Sequence, residues 1–300
     1  MDSRRWDGYA PRAGDVVIAT HPKCGTTWTQ RIVGLLIFQS PEPLAVMEVS
    51  PWVDSRFTTP IDAIMARIEG QTHRRFLKSH LPLDALPVLD EVRYIHVARD
   101  GLDACMSWHN HTLHYKRFEL LDKAGLDDET IGRPYPRPAA DPGDFFRGWI
   151  DGAGAARAME PDASAFFSLE RSYWTERRRA NLLMVHYNDL TADLDGEMRR
   201  IAAFLGIETP APLWPNLVEA ATFEAMKGDV GALLPGLENA FEGGAAGFLF
   251  KGSNERWRES LSGADAALYR RRAGAELSPG LDRWLRSGRL AAGDPATMDD

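Results

Sequence analysis

The chain has 300 residues, of which 44% are hydrophobic, and its formal net charge is −8 at pH 7. A chain of this size can bury a sizeable core as one α/β domain, and its negative charge argues against a nucleic-acid partner. No apolar run reaches membrane-spanning length, and residues 1–15 lack the apolar segment of a signal peptide. Two cysteines offer no disulfide framework, so we expect a cytoplasmic protein with no membrane association.

Residues 15–39 contain the pattern around which the chain is organised. The apolar run 16–19 predicts a short buried strand, and apolar residues at helical spacing predict a helix that begins near Thr26. The loop between them contains Lys23 and Gly25. The first amides of a helix have no partner inside it, and the helix dipole favours an anion there. Gly25 allows close approach of the backbone, so the segment predicts an anion site.

The loop sequence PKCGTTW, residues 22–28, closely resembles the PKSGTTW loop of the cytosolic sulfotransferases. These enzymes move a sulfuryl group from 3′-phosphoadenosine 5′-phosphosulfate (PAPS) to a hydroxyl or an amine. A loop that binds a nucleoside triphosphate with Mg²⁺ has its lysine after the second glycine, whereas Lys23 precedes Gly25. The resemblance implies that the co-substrate is bound by Lys23, Cys24, Gly25, Thr26, Thr27 and Trp28. Cys24 stands where the family usually has serine.

Residues 41–60 are punctuated by prolines and contain Trp52 and Phe57. This composition suits a loop that lines a pocket, and the resemblance places acceptor-binding residues there. Simple packing of the two aromatic rings against the loop is an equally open interpretation. Residues 61–68 are predicted to be a helix.

Residues 76–77 predict a short buried strand, followed closely by Lys78 and His80. A histidine at a strand end lies at the sheet edge where open α/β sheets bind ligands. The segment KSHLPLDALP, residues 78–87, resembles KTHLPLDLLP of the same family. The resemblance implies that His80 is the general base and that Lys78, with Lys23, stabilises the group in transfer.

Residues 92–98 predict a third strand, and residues 102–108 begin a helix. The run YIHVARDGLDACMSW, residues 94–108, resembles the family segment YVxRNPKDxxVSxY, whose arginine and serine bind the 3′-phosphate; here these are Arg99 and Ser107. A guanidinium at a strand end and a hydroxyl two turns along the next helix can converge on one phosphate. Asp100 could instead hold Mg²⁺ in a nucleotidase, but the phosphate loop lacks the matching Lys-Ser/Thr pair.

His109, His111 and His114 do not share one helical face, and no cysteine or carboxylate set completes a site. We therefore predict no metal. Residues 115–142 predict a mobile flap over the acceptor pocket. Residues 144–152 resemble a family helix, and its Phe145 is a candidate acceptor-binding residue.

The second half of the chain supplies the remaining nucleotide-binding matches. Residues 166–179 predict a helix, residues 182–187 a fourth strand, and residues 194–205 a helix that stops at Gly206. By resemblance, Tyr187 contacts adenine, and the segment 221–226 resembles TSFxxM. That resemblance implies nucleotide contacts from Thr222, Phe223 and Met226. Ala221 stands where the family often has threonine.

Residues 228–247 are glycine-rich and predict a flexible lid, and residues 248–257 resemble the nucleotide-binding segment FxRKGxxGDW. Lys251, Gly252 and Trp257 match this segment, but Phe250 replaces its arginine. Residues 264–290 predict two helices. The dimer motif of the animal enzymes is not found, so the oligomeric state stays open.

These collinear matches predict a P-loop-type three-layer α/β fold with a central parallel sheet and helices on both faces. We expect one domain, 1–300, with variable acceptor segments near 41–60, 110–145 and 228–250. The expected reaction is in-line transfer of the sulfuryl group of PAPS to a small aromatic or apolar acceptor, without a metal. One alternative is a P-loop phosphotransferase, which absolute dependence of turnover on Mg²⁺ would favour. The other is a nucleotide-binding protein without catalysis, which binding of PAPS without any product would favour.

Overall fold

A computed structural model describes residues 1–55, 59–116, 138–152, 162–244, 248–249 and 252–300. Three residues of the predictions, Phe57, Phe250 and Lys251, lie outside these ranges, as does most of the predicted flap. The predictions made for them therefore stay predictions.

The described residues form a sheet of four parallel strands in the order β2-β1-β3-β4. The strands are β1 (Val16–Ala19), β2 (Phe76–Ser79), β3 (Arg93–Ala98) and β4 (Leu182–His186). All four were expected, but the fourth ends one residue earlier than the pattern indicates. The side chain of His186 accepts a hydrogen bond from the amide of Asn188 at 3.1 Å and so caps a helix that already begins at Tyr187.

The helices that connect and cover the strands agree with the predicted order. They are α1 (Thr26–Phe38), α2 (Val46–Val49), α3 (Ile61–Gly70), α4 (Gly101–His114), α5 (Pro142–Ile150), α6 (Ala163–Thr175), α7 (Tyr187–Ala192), α8 (Leu194–Leu205), α9 (Trp214–Ala220), α10 (Phe223–Gly228), α11 (Val230–Leu233), α12 (Leu237–Ala240), α13 (Trp257–Ser260), α14 (Gly263–Glu276), α15 (Pro279–Ser287) and α16 (Arg289–Ala292). Single 3₁₀ turns span Ser3–Trp6 and Leu83–Ala85.

Alternate side chains of each strand enter two separate cores, as the period of a strand requires. One core joins Val17, Leu77 and Tyr94 to buried residues of α4, α5, α6, α14 and α15. The other joins Ile18, Phe76 and Ile95 to α1, α8 and α9. The sheet is therefore covered by helices on both faces, which confirms the predicted three-layer fold.

The segment after α10, which the glycines predict to be a flexible lid, contains regular structure in its described residues. Its described part contains α11 and α12, and Val230, Leu233 and Leu234 are buried against Met226. These apolar residues lie three and four positions apart, so a short helix can bury them together. At the end of the chain, α14 and α15 confirm the two predicted helices. Among the described helices, none combines the length and apolar character needed to cross a bilayer.

Candidate active site

The loop between β1 and α1 is shaped to present its backbone to an anion. Lys23 and Gly25 both have positive φ, 71° and 106°, and Gly25 directly precedes the first residue of α1. A Cβ at position 25 would lie 3.1 Å from the ring of Tyr187, so both the conformation and the neighbour favour glycine. The hydroxyls of Thr20 and Thr26 lie 2.6 Å apart and tie the start of the loop to the start of the helix. Thr27 follows in the first turn of α1.

The side chain of Cys24 belongs to a hydrophobic core of the protein. Its thiol is fully buried, and desolvation raises its pKa well above the usual value. The sulfur lies 4.0 Å from the carbonyl of Pro22. A neutral, buried thiol in place of serine therefore leaves the backbone of residue 24 as the part that can face a ligand.

Lys23 and Lys78 lie at the carboxyl ends of β1 and β2, and both have lowered pKa values. Desolvation, together with the charges of Arg99 and Lys78, lowers the pKa of Lys23 to about 7. Desolvation likewise lowers the pKa of Lys78 to about 8, although the nearby carboxylate of Asp54 opposes that change. A cationic site whose lysines are poorly hydrated interacts more strongly with an anion than the same charges would in water.

His80 is held in one orientation at the end of β2. Its Nδ1 lies 2.7 Å from the carbonyl oxygen of Thr20, which can only accept, so Nδ1 carries the proton. This tautomer leaves Nε2 with a free lone pair. Desolvation and the charge of Lys78 hold the pKa of His80 well below its ordinary value. The imidazole is therefore neutral at pH 7 and able to accept a proton at Nε2.

A segment alongside β2 connects Trp52, Lys78 and His80. Residues 51 and 53 hydrogen-bond to the backbone of Lys78, at 2.9 and 3.2 Å. The ring of Trp52 lies 4.2 Å from Lys78 Nζ and 5.0 Å from the centre of the His80 ring. Oδ2 of the buried Asp54 accepts hydrogen bonds from the His80 amide and from Trp52 Nε1, each at 3.1 Å. The sequence pattern identified Trp52 but not Asp54, and the role of Trp52 in acceptor binding stays a prediction.

Arg99 joins the phosphate loop to the segment that follows Gly252. Its guanidinium donates to the carbonyl of Lys23 at 3.2 Å, to that of Ser253 at 3.1 Å and to Asn254 Oδ1 at 3.0 Å. It also lies over the ring of Tyr187, 4.1 Å from the ring centre. Asn254 was not expected to contribute, because its contact with Arg99 spans 155 residues of sequence.

Aromatic side chains surround the remaining predicted nucleotide residues. The rings of Trp28 and Tyr187 meet edge to face at 5.3 Å, and Trp28 Nε1 donates to the carbonyl of Ala221 at 2.8 Å. Gly252 has φ 64°, and a Cβ there would lie 2.6 Å from the ring of Phe223. The side-chain hydroxyl of Thr222 caps α10 by accepting from the amide of Ala225.

Two more of these residues lie on helices. Met226 is buried in α10, in a small core against which Trp28 also packs. Ser107 lies in the second turn of α4 and is partly exposed. None of the contacts described for Arg99 involves Ser107. The predicted role of Ser107 in binding the 3′-phosphate therefore stays a prediction.

Asp100 serves as the N-cap of α4. Its Oδ1 accepts from the amides of Leu102 and Asp103, at 2.9 and 3.3 Å. Desolvation and the neighbouring Asp103 raise the pKa of Asp100 to about 7. A carboxylate committed to two amides and partly protonated at neutral pH is a poor ligand for Mg²⁺.

The three histidines of α4 make separate contacts. His109 Nε2 lies 2.9 Å from the carbonyl of Ala139, and His114 Nδ1 lies 2.8 Å from that of Asn110. His111 Nδ1 lies 3.4 Å from Lys23 Nζ. In the described ranges, no group of histidine, cysteine and carboxylate side chains is arranged to hold a metal ion.

His111 belongs to an aromatic cluster beside Lys23 that the sequence analysis did not identify. The cluster also contains Trp108, Tyr115, Phe241 and Phe248. Lys23 Nζ lies 4.6 Å from the centre of the Phe248 ring. An apolar wall therefore borders the charged end of the site.

Phe145 of α5 is placed differently from the other predicted acceptor residues. Its ring lies 4.7 Å from that of His109 and packs against the core beneath α4. Within the described residues, the structure does not bring it into ring contact with Trp52 or His80. Its predicted role in acceptor binding stays a prediction.

Comparisons with known proteins identify the family. The model of the sulfotransferase domain family matches residues 13–277. A glycolipid sulfotransferase of Mycobacterium tuberculosis (strain ATCC 25177 / H37Ra) is 32% identical, and the alignment covers 98% of this chain and 94% of that protein. Cytosolic sulfotransferase 1 of Danio rerio is 26% identical over 73% of this chain and 68% of its own length.

A solved structure is similar in fold. Retinol dehydratase, crystallised with androsterone and the inactive cofactor PAP (adenosine 3′,5′-bisphosphate), superposes with a TM-score of 0.69 and 22% identity. The superposition covers 90% of this chain and 82% of that one. At this level of identity the likeness shows the fold, which is the α/β fold predicted from the sequence.

Proposed function

The chain belongs to the sulfotransferase domain family and is a PAPS-dependent sulfotransferase, and we propose that it sulfates a hydroxyl group of a small acceptor with His80 as the general base. The observation that carries this proposal is the hydrogen bond from His80 Nδ1 to the carbonyl of Thr20, which leaves Nε2 as the proton acceptor, with none of the described residues hydrogen-bonded to it. PAPS supplies the sulfuryl group, and adenosine 3′,5′-bisphosphate is the leaving product. We also propose a single domain, 1–300, and a cytoplasmic location.

The residues present fit a nucleotide with two phosphate groups. The positive-φ loop at Lys23 and Gly25 and the amino end of α1 suit the 5′-phosphate. The ring of Phe223 lies against Gly252, and any larger residue at position 252 would displace the ring. The ring therefore has a fixed place, in which it can serve as a flat platform for adenine. Arg99 is held between this platform and the phosphate loop, so it is positioned to bind the 3′-phosphate, with Ser107 and Lys251 as further proposed contacts.

Sulfuryl transfer resembles phosphoryl transfer in having a loose in-line transition state, so positioning and charge stabilisation dominate catalysis. Nε2 of His80 takes the proton of the acceptor hydroxyl as the new oxygen–sulfur bond forms. Lys23 and Lys78 are poised to stabilise the negative charge that grows on the leaving oxygen and on the sulfuryl oxygens. Because their pKa values lie near neutrality in the free protein, the approach of an anionic nucleotide favours the protonated lysines.

Asp54 acts through its neighbours as a positioning residue. One buried oxygen accepts from both the amide of His80 and the indole of Trp52. The base and the aromatic ring that borders the acceptor are therefore fixed to each other. An acceptor that packs against Trp52 is thereby aligned with His80 Nε2.

We propose that the acceptor is an apolar or aromatic alcohol. The rings of Trp52 on one side and of His111, Phe241 and Phe248 near Lys23 on the other supply apolar walls. The mycobacterial relative is named a glycolipid sulfotransferase, so a sugar hydroxyl on a lipid is an acceptor of the same amphiphilic class. Phe57 and Phe145 are proposed to extend this pocket.

A panel of phenols, sterols, alkyl alcohols and glycolipids, incubated with PAPS in the presence of EDTA, tests the proposal. Mass spectrometry should find an acceptor whose mass has increased by one sulfuryl group. Release of adenosine 3′,5′-bisphosphate should equal the amount of product. Product formed only with Mg²⁺ and a nucleoside triphosphate would instead identify a phosphotransferase. Binding of PAPS without a product from the panel would favour a nucleotide-binding protein without catalysis.

A further inference from the structure

A basic cavity lies at the amino-terminal edge of the sheet, at the opposite end of the strands from the candidate active site. Its volume is about 520 Å³, and residues 12–15 and 72–75 line it. Asp15 directly precedes β1 and Arg75 directly precedes β2. The phosphate loop and His80 follow the other ends of the same two strands, so the cavity is separate from the site described above.

The carboxylate in the lining of this cavity is already neutralised. Asp15 and Arg75 form a buried ion pair in which Arg75 Nε donates to Oδ1 at 2.9 Å. The hydroxyl of Tyr9 also donates to Asp15 Oδ2 at 2.6 Å. Asp15 is therefore bonded to Arg75 and Tyr9, and it acts on Arg74 only through space.

Arg12 and Arg74 supply two positive charges that form no ion pair with a carboxylate of the described residues. Arg12 donates to the carbonyls of Gln71 and Glu69, at 2.8 and 2.7 Å. Arg74 donates to the carbonyls of Gly14 and Leu205, at 2.5 and 2.6 Å. Carbonyl oxygens satisfy hydrogen bonds but carry no formal charge. Throughout the described part of the chain, neither arginine forms a salt bridge with a carboxylate.

The half-buried position of Arg74 makes this imbalance costly. Desolvation and the charge of Arg93 lower the pKa of Arg74, and the charge of Asp15 offsets them only in part. Gly14 has φ 86°, a conformation that favours glycine, and a Cβ there would be in ordinary contact with Arg74 Nε at 3.6 Å. Arg74 uses Nε and Nη1 for its two carbonyl partners, and Nη2 donates to neither of them.

We propose that this cavity binds a tetrahedral dianion, as free phosphate or sulfate or as the phosphate end of a small monoester. Arg12 Nε and Arg74 Nη2 have N–H groups that donate to none of the described residues, and an anion between them would balance both charges. The cavity is far larger than the roughly 30 Å³ that one water molecule occupies in the liquid, so it has room for a monoester. This inference does not depend on the proposed function.

Nuclear magnetic resonance can test the site directly. The ¹H–¹⁵N correlation spectrum of the full chain is recorded at pH 7.5 and constant ionic strength, with inorganic phosphate replacing chloride, and separately with glycerol 3-phosphate. The amide signals of Gly14 and Thr72 report the cavity, and that of Gly25 reports the phosphate loop. Wild type, Arg74→Gln, Arg12→Gln and Arg67→Gln are compared. Arg67 is the matched control, because it lies on α3 outside the cavity and pairs with Glu48.

The Gly14 and Thr72 signals should move along a saturable curve in wild type and in Arg67→Gln. The dissociation constant should rise about tenfold in Arg74→Gln and in Arg12→Gln, since each loses a charge-assisted hydrogen bond. Saturation by inorganic phosphate alone would identify a free oxyanion, and saturation by both ligands would identify a site that accepts a monoester. Shifts that never saturate, or equal affinities in all four proteins, would overturn the proposal. Should Arg74→Gln fail to fold, Arg12→Gln on the exposed rim decides the question.

Discussion

Asp54→Asn is the substitution that most sharply tests how the acceptor side of the site is coupled to the base. The carboxylate is fully buried, and one of its oxygens accepts from both the His80 amide and Trp52 Nε1. A hydrogen bond to a charged group is worth about 1.5–3 kcal/mol and a neutral one about 0.5–1.5 kcal/mol. Losing the charge at two such bonds should therefore cost about 2 kcal/mol, or roughly 30-fold in kcat/KM if the transition state feels all of it.

A double-mutant cycle with Trp52→Phe separates this coupling from simple destabilisation. Phenylalanine keeps the aromatic ring but removes the indole N–H that Asp54 accepts. The two substitutions share one interaction, so their combined effect on kcat/KM should be smaller than the sum by about 0.5–3 kcal/mol. Affinity for adenosine 3′,5′-bisphosphate should change little in each variant. Asp84→Asn, at an exposed carboxylate just beyond β2, serves as the control and should match wild type.

The reasoning would be refuted if the two effects were additive, or if nucleotide affinity fell as much as kcat/KM. Additive effects would show that Asp54 does not link Trp52 to His80. A matching loss of nucleotide affinity would show that Asp54 supports the whole site without a particular role on the acceptor side.

Three further predictions concern the nucleotide. Desolvation and neighbouring cations lower the pKa of Lys23 to about 7, and a bound anion should raise that pKa again. Binding of adenosine 3′,5′-bisphosphate should therefore take up a proton. The affinity should also weaken as the pH rises above 7. Calorimetry in buffers of different ionisation enthalpy measures this uptake, which Lys23→Met should reduce to the part that Lys78 contributes. Wild type should prefer the bisphosphate to AMP by more than tenfold, and Arg99→Ala should remove most of that preference, since it deletes a bidentate donor; an intact preference would assign the 3′-phosphate to another group. Gly252→Ala should weaken bisphosphate binding about tenfold, because its Cβ would meet the Phe223 ring at 2.6 Å and the backbone there is left-handed. Gly274→Ala is the control, because a Cβ at that position on α14 would lie in open space. It should leave binding unchanged and raise the free energy of unfolding by about 1 kcal/mol.

Local patterns were sufficient to predict the framework of the site. The buried run at residues 16–19, the glycine-bearing loop and the helix from Thr26 are adjacent in sequence, and they form one strand, turn and helix in the structure. His80 and Arg99 follow directly after strands that the apolar pattern identifies. Because parallel strands bring their carboxyl ends to one edge of the sheet, identifying the strands also identifies that edge.

Contacts between distant segments could not be predicted in the same way. Asp54 meets His80 across 26 residues, and Asn254 meets Arg99 across 155. Each of these polar residues lies in a segment without periodicity, so nothing in its neighbourhood distinguishes it from an exposed loop residue. The glycines near residue 230 predicted a flexible lid and gave no sign of the short helices that bury apolar residues against Met226.

The general base is the central claim, and the activity of His80→Ala tests it most directly. With PAPS and an accepted alcohol at neutral pH, kcat should fall by about 10² to 10⁴-fold, the usual contribution of a general base. Affinity for adenosine 3′,5′-bisphosphate should stay close to that of wild type, and His73→Ala, at the opposite edge of the sheet, should keep full activity. A His80→Ala enzyme that sulfates the acceptor at nearly the wild-type rate would place the base elsewhere and contradict this account.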